Sequence, residues 1–229
     1  GDGVDDPEIA DKLMPRGYAY GTKRVTIGTG YPETFNRDNV ELVDLKKEKL
    51  EGFNERGAVV DGREIPLDYL ICASGFDALT GSLTRIDIRG RNNLPIKEVW
   101  AHGPHTFLGI SMHDFPNMYM IGGPGSPSVL GNVVTINELQ VEWLVNLLKH
   151  IKDKGYTRIE ATVEAQEEWT RKVGDLVKGN LWETADSWYT GSNVPGKARV
   201  ILAYVGGIPR YYGELDEISA AGYPGYKFQ

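Results

Sequence analysis

Two adjacent cations, Lys23-Arg24, are the residues whose type and placement could do chemistry most directly. They follow the turn Tyr18-Ala-Tyr-Gly-Thr22, in which Gly17 and Gly21 flank two aromatics and let the backbone turn tightly. The pair opens an apolar run, Val25-Thr-Ile27, that reads as a strand. On a strand, neighbouring side chains face opposite ways. One cation could then hold a phosphate while the other enters a different pocket. A solvated basic pair at a strand edge fits the same residues, since Lys and Arg are mostly exposed.

A second candidate is built on glycine. Met118-Tyr-Met-Ile121 reads as an apolar strand running into Gly122-Gly-Pro-Gly-Ser-Pro-Ser128. A long helix follows, with Asn132 as its N-cap, Gly155 as its end, and Val133, Ile136, Gln140, Trp143, Leu147 and Ile151 at helical spacing. Gly123-x-Gly125-x-x-Ser128 approaches a dinucleotide fingerprint, but it lacks the last glycine and the confirming acidic residue. Such glycines let backbone amides approach a ligand at a helix start; a plain strand-to-helix turn accounts for them equally well. The segment from Gly17 to Lys23 is no Walker A loop, because Thr22 precedes the lysine. His102, His105, His113 and His150 have no metal-ligand spacing and read as surface residues, and no Gly-x-Ser-x-Gly elbow occurs. No metal is expected. Residues 180–212 lack periodicity yet carry Trp182, Trp188 and Tyr189, which suggests a functional loop over disorder.

The elements that must position these groups alternate in type. Asp6 and Pro7 start a short helix. Val40-Glu-Leu-Val-Asp-Leu45 alternates as a strand should. A meander follows, Leu50 to Phe53, Ala58-Val-Val60 and Arg63-Glu-Ile65, with Asp61-Gly62 as a hairpin turn. The run from Leu67 to Ala73 fits a buried parallel strand, with Cys72 packed inside it. Ile96 to Trp100 could be strand or helix, and Phe107-Leu-Gly-Ile110 reads as a strand. A helix after Thr162 carries the stripe Trp169, Val173 and Leu176, for which core packing is the default, and a last helix spans about residues 211–221.

The 229 residues suffice for one large or two small domains, and 41% hydrophobic with 25% charged residues is ordinary for a globular chain. A net charge of -7 argues against a nucleic-acid groove. The single cysteine excludes an internal disulfide and a multi-cysteine zinc site. No apolar run spans a bilayer and no signal peptide opens the chain, so a cytoplasmic location is the default expectation.

Longer blocks carry more than any of these motifs. Gly21-Thr-Lys-Arg24, Thr29-Gly-Tyr31, Phe35-Asn-Arg-Asp-Asn-Val-Glu-Leu-Val-Asp44, Ala73-Ser-Gly-Phe-Asp77, Thr80-Gly81, Arg85-Ile-Asp-Ile-Arg-Gly90, Gly122-Gly-Pro-Gly-Ser-Pro-Ser128 and Ser187-Trp-Tyr-Thr-Gly-Ser-Asn-Val-Pro-Gly-Lys197 occur in order from about residue 6 to the end. Together they closely resemble the type I Baeyer–Villiger monooxygenases. That family uses FAD and NADPH to insert one atom of O₂ beside a ketone carbonyl, giving an ester or lactone.

The resemblance implies an α/β fold made of the C-terminal portions of two Rossmann-like dinucleotide-binding domains. Residues 1–78 would close the NADPH-binding domain, and 79–229 would form the returning part of the FAD-binding domain, with a mobile loop at about 180–200. Arg24 matches the family's active-site arginine, a fixed cation beside an anionic peroxyflavin. Lys23 matches the lysine on the 2′-phosphate of NADPH, and Trp188 the tryptophan of the loop that closes over that cofactor. Gly123 and Gly125 would lie against the flavin, and Ser128, Val129, Leu130, Gly131, Asn132 and Val133 would line an apolar ketone pocket. Both glycine-rich cofactor turns and the family fingerprint are missing from these residues. The expected partners are therefore a ketone, O₂ and an N-terminal half in the same or a separate chain, with no nucleic acid and no membrane. A non-catalytic remnant or binding module, and a relative oxidising nitrogen or sulfur, are the alternatives.

Overall fold

A computed structural model describes residues 3–128 and 131–229. The chain divides into two compact units, Gly1–Tyr18 with Arg24–Gly75, and Ala19–Lys23 with Phe76–Gln229.

In the first unit Asp6 caps α1 (Pro7–Leu13), its Oδ1 accepting the Glu8 N–H at 2.7 Å, while Pro7 occupies a position whose amide would lack a partner. Asn36 closes a 3₁₀ turn, Pro32–Asn36, against the chain start, accepting from the Asp5 N–H and donating to Gly3 O, both at 2.9 Å. The expected meander is present as β1 (Leu50–Asn54), β2 (Gly57–Val60) and β3 (Arg63–Pro66), all antiparallel. Asp61 and Gly62 both take positive φ, 46° and 73°, as a type I′ hairpin requires.

Three other strands expected in this unit are not formed. Residues 25–27, 40–45 and 67–73 have no ladder partner, and every paired strand among the described residues is antiparallel. Ile27 is fully exposed, Ile71 is 89% exposed, and Cys72 is exposed where a buried thiol was expected. The physical reason is simple. An apolar run becomes a strand only when a neighbouring strand takes its amides in register and its faces are covered; here isolated amides such as Leu67 N–H find single partners, and no ladder forms among the described residues.

The second unit holds α2 (Gly81–Thr84), α3 (Ile96–Val99), α4 (Val133–Lys154), β4 (Ile159–Ala161), α5 (Val163–Asp175), α6 (Ile208–Ala220) and β5 (Tyr226–Phe228). The ambiguous segment at 96–100 is thus helical. Asn132 caps α4 through the Val134 and Thr135 amides, and Gly155 ends it at φ 72°. Ile136, Gln140, Trp143 and Leu147 form its buried stripe, while Val133 at the head is exposed. Thr162 Oγ1 caps α5 by accepting the Ala165 N–H at 3.1 Å. Around these helices Trp143, Leu147, Trp169, Tyr204, Tyr211, Leu215 and Tyr226 make one core. Trp169 stacks on Tyr204 at 5.5 Å and 8°. The β4–β5 pair, Ile159 opposite Phe228, closes one side. Residues 107–110 are a buried turn and 118–121 an irregular segment, Met120 buried and Ile121 exposed, rather than strands. Their amides are taken locally, Phe107 N–H by Ser111 O and Met120 N–H by Ile110 O, each at 2.7 Å. No helix among the described residues is long and apolar enough to cross a membrane.

Candidate active site

The turn before the basic pair is closed by Thr22. Its buried hydroxyl donates to Ala19 O at 2.7 Å, and its N–H reaches the same carbonyl at 3.2 Å. Lys23 and Arg24 follow, both exposed, on irregular backbone instead of the expected strand. The unit boundary falls between them, so Lys23 ends a short segment of the second unit and Arg24 begins a segment of the first. Within the second unit, the Lys23 turn is fastened to the aromatic loop: Trp182 Nε1 donates to Gly21 O at 3.2 Å.

That loop, residues 180–200, has little regular structure but a dense internal network. Ser187 caps a 3₁₀ turn, Trp188–Thr190, its hydroxyl accepting the Tyr189 N–H at 3.3 Å. The Thr190 and Ser192 hydroxyls both donate to Ser187 O, at 2.8 and 2.9 Å. Leu202 N–H reaches Tyr189 O at 2.9 Å. The ring of Trp188 is half-buried, 4.2 Å from that of Tyr189. Beside the loop lies a cavity of ≈ 370 Å³ lined in part by His102, His105, Trp182, Thr190 and Arg199.

The glycine turn is occupied by the protein's own groups. Gly122 N–H donates to Gln140 Oε1 at 2.6 Å, and Gly125 N–H to Leu202 O at 2.9 Å. Thr106 Oγ1 holds Pro124 O at 2.7 Å and Trp169 Nε1 holds Gly125 O at 3.0 Å. A side chain at Gly123 would put Cβ 2.5 Å from Gly109 O, and one at Gly125 would meet Thr106 Oγ1 at 2.9 Å. Close packing therefore explains both glycines without a ligand. Gln140 extends the network inward, its Nε2 donating to Tyr211 OH at 2.6 Å, and that hydroxyl donating to Leu108 O at 2.7 Å. Burial pushes the Tyr211 phenol far above its ordinary range, so it remains a neutral donor.

Of the expected pocket residues, Ser128 is buried at φ 36° with its hydroxyl unpartnered among the described residues. A Cβ at Gly131 would meet Ile208 Cδ1 at 2.4 Å, Asn132 spends its side chain on the cap, and Val133 is exposed. Val129 and Leu130 lie outside the described residues.

The sequence reading passed over several structural contributors: Gln140 as the partner of the glycine turn, Trp182 as the partner of Gly21, and Asp77 with Lys197. A glutamine on an otherwise apolar stripe was the available signal for the first. His113 is also only half exposed and gathers with Asp114 and Glu160 in space, their ligand atoms within 4.8 Å of one another. Arg91 already forks onto both oxygens of Glu160, which fills the place of a cation. Burial alone would raise the Glu160 carboxyl, but hydrogen bonds from Arg91 and the Asp114 amide outweigh it and hold the group below the usual range.

Proteins similar in sequence to this chain are monooxygenases, some of them named as FAD-binding. More narrowly, the chain is homologous over nearly its whole length to part of the Baeyer–Villiger monooxygenases. It is 42% identical over 223 residues to acetone monooxygenase (methyl acetate-forming) of Gordonia sp. (strain TY-5), covering 96% of this chain and 42% of the relative. Cyclohexanone 1,2-monooxygenase of Acinetobacter sp is 39% identical over 228 residues, 99% of this chain and 41% of the relative. Phenazine N-monooxygenase PhzNO1 of Lysobacter antibioticus is 36% identical over 225 residues, 97% and 41%. Among solved structures, cyclohexanone monooxygenase from Rhodococcus sp. Phi1 bound to NADP+ superposes with a TM-score of 0.94 at 39% identity, and an OTEMO complex with FAD and NADP with 0.93 at 37%. Each covers 99% of this chain and 42% of the solved one. The chain thus spans about two fifths of the length of the relatives it matches. No protein-family model matches it.

Proposed function

We propose that this chain is the C-terminal portion of an FAD- and NADPH-dependent Baeyer–Villiger monooxygenase, completed by an N-terminal portion in the same or another polypeptide. The single observation carrying this reading is whole-length similarity, 99% of the chain at a TM-score of 0.94, to an NADP+-bound cyclohexanone monooxygenase. In finer detail, the chain would supply the ends of two Rossmann-like domains, divided near residue 78.

The residues present fit the two cofactors. NADPH needs a cation for its 2′-phosphate, and Lys23 stands exposed at the end of a turn fixed by Thr22 and Trp182. Trp188 belongs to the loop that Trp182 joins to that turn, and so can contact the same ligand. By the resemblance FAD would lie against the turn at Gly123 and Gly125, next to which the Ser128 hydroxyl is buried with no partner among the described residues. Gly123 and Gly125 serve the flavin indirectly, by letting the turn pack tightly enough to hold Ser128 in place. When bound, the flavin supplies the oxygen-activating chemistry. Arg24 holds a permanent positive charge where negative charge must persist. The Trp188 loop would exclude water, and by the resemblance Ser128 and residues 131–133 would border an apolar ketone.

A hybrid tests this directly. These 229 residues replace the corresponding segment of cyclohexanone 1,2-monooxygenase, and products are separated by gas chromatography. Formation of an ester or lactone from a ketone at the expense of NADPH is expected. A hybrid that binds FAD and oxidises NADPH but forms no ester or lactone from a panel of linear and cyclic ketones would overturn the assignment. The phenazine N-monooxygenase relative supports a second reading, oxygen transfer to a ring nitrogen. An N-oxide from phenazine, with no ester from ketones, would select it.

A further inference from the structure

The 187–198 segment grips three consecutive residues of another part of the second unit. Asn193 Nδ2 donates to Phe76 O at 3.0 Å. Lys197 Nζ pairs with the Asp77 carboxylate and donates to Ala78 O at 3.2 Å. The lysine is largely buried, its side chain 15% exposed. Its stem runs across Gly191, three residues beyond Trp188. A Cβ there would lie 3.3 Å from both Lys197 Cδ and Cε, and the position also needs a left-handed φ of 74°. At the other end Asp77 has its own slot, because a Cβ on Gly81 would lie 2.5 Å from Asp77 Cβ. Two glycines therefore make room for one ion pair.

We propose that Lys197, with Asp77 and Asn193, is a latch that positions Trp188. Burying a lysine and an aspartate is costly unless they are paired. The pair is accordingly maintained, and the turn that carries Trp188 is held to residues 76–78. Gly75 is the last residue of the first unit and Phe76 begins the long segment of the second. Lys197 and Asn193 thus tie the start of that segment to the turn that carries Trp188. Lys197 is a positioning residue: it acts through Trp188 on the nicotinamide cofactor, and in that respect the inference rests on the function proposed above.

Two readouts separate the latch from that function. The first uses the chain alone, followed by amide hydrogen exchange. In K197M, peptides covering residues 188–196 should exchange at least tenfold faster, while α4, α5 and α6 keep wild-type protection. K197R, which keeps the charge, should return exchange to within about threefold of wild type. Unchanged exchange in K197M, with the helices intact, would overturn the latch. If K197M loses helix protection as well, D77N replaces it, with the same expectation and the same contrary result. The second readout uses the hybrid oxygenase. K197M should raise KM for NADPH at least tenfold with kcat changed less than threefold, and K197R should restore it. A loosened loop with unchanged KM would overturn the positioning role. A wild-type hybrid that folds and binds FAD but has no NADPH oxidation would overturn the proposed function and this role of Lys197 together, leaving the exchange result standing alone.

Discussion

The indole Nε1–H of Trp182 donates to the carbonyl oxygen of Gly21 at 3.2 Å, across 161 residues of sequence. This bond joins the aromatic loop to the turn that ends in Lys23. W182F keeps an aromatic ring, though a smaller one, and deletes the donor. A neutral hydrogen bond of this kind contributes about 1 kcal/mol, so amide exchange of residues 19–23 should quicken roughly fivefold. Unaltered exchange there would show that the bond does not hold the turn.

Gln140 is fully buried and serves both the glycine turn and Tyr211. Q140L keeps the bulk but strands the Gly122 amide and removes the donor to the Tyr211 hydroxyl oxygen, whose O–H still reaches Leu108 O. Each buried group left unpaired costs about 1–3 kcal/mol. Urea unfolding should therefore report a loss of about 1–3 kcal/mol or somewhat more without a change of slope. A variant as stable as the parent would mean that the network is not a stabilising link.

Two glycines should respond in opposite directions. A Cβ on Gly123 would strike the Gly109 carbonyl at 2.5 Å, and backbone cannot yield cheaply there. G123A should cost about 1–3 kcal/mol. Gly213 lies inside α6 with nothing within 4 Å of an added Cβ. G213A should add about 0.5–1 kcal/mol through helix propensity and a less flexible unfolded chain. Thermal denaturation of both variants checks the contrast.

How much of this was legible in the sequence follows from the range of the forces involved. Local signals were reliable: the Asp6, Asn132 and Thr162 caps, the Gly155 stop and the Asp61-Gly62 hairpin each act within a few residues, and all are present. The α4 stripe was legible because 3.6-residue periodicity survives any tertiary context. Strands were not, because pairing is non-local. Residues 67–73, apolar except for Asp68, have the pattern of a buried strand and still have no strand partner among the described residues. Long-range polar pairs, Trp182 with Gly21 and Lys197 with Asp77, leave no trace in spacing at all. The candidate site rests on the long blocks of resemblance; Lys23-Arg24 alone is an ordinary basic pair.

Acid stability should depend on Glu160. Its carboxyl is held below its ordinary value of 4.5 in the folded chain by Arg91 and the Asp114 amide, against the effect of burial. The folded state thus binds this proton less readily than the unfolded one. The stabilisation is complete above about pH 4.5 and is lost as the pH falls through the lower folded value. E160Q should be less stable than the parent at neutral pH, and its stability should fall less between pH 5 and pH 3, in the acid limb of this linkage. Parallel pH profiles for parent and variant would contradict this role.

The most direct test of the central claim is ester formation from a ketone by the hybrid oxygenase, measured side by side with its R24A variant. The parent hybrid should convert ketone to ester or lactone with matching NADPH consumption. R24A should retain a bound-flavin absorption spectrum while product formation falls at least about a hundredfold, the scale expected when a fixed charge at a reacting centre is removed. Undiminished ester formation by R24A would contradict the assignment of Arg24, and no ester from the flavin-loaded parent hybrid would contradict the monooxygenase reading itself.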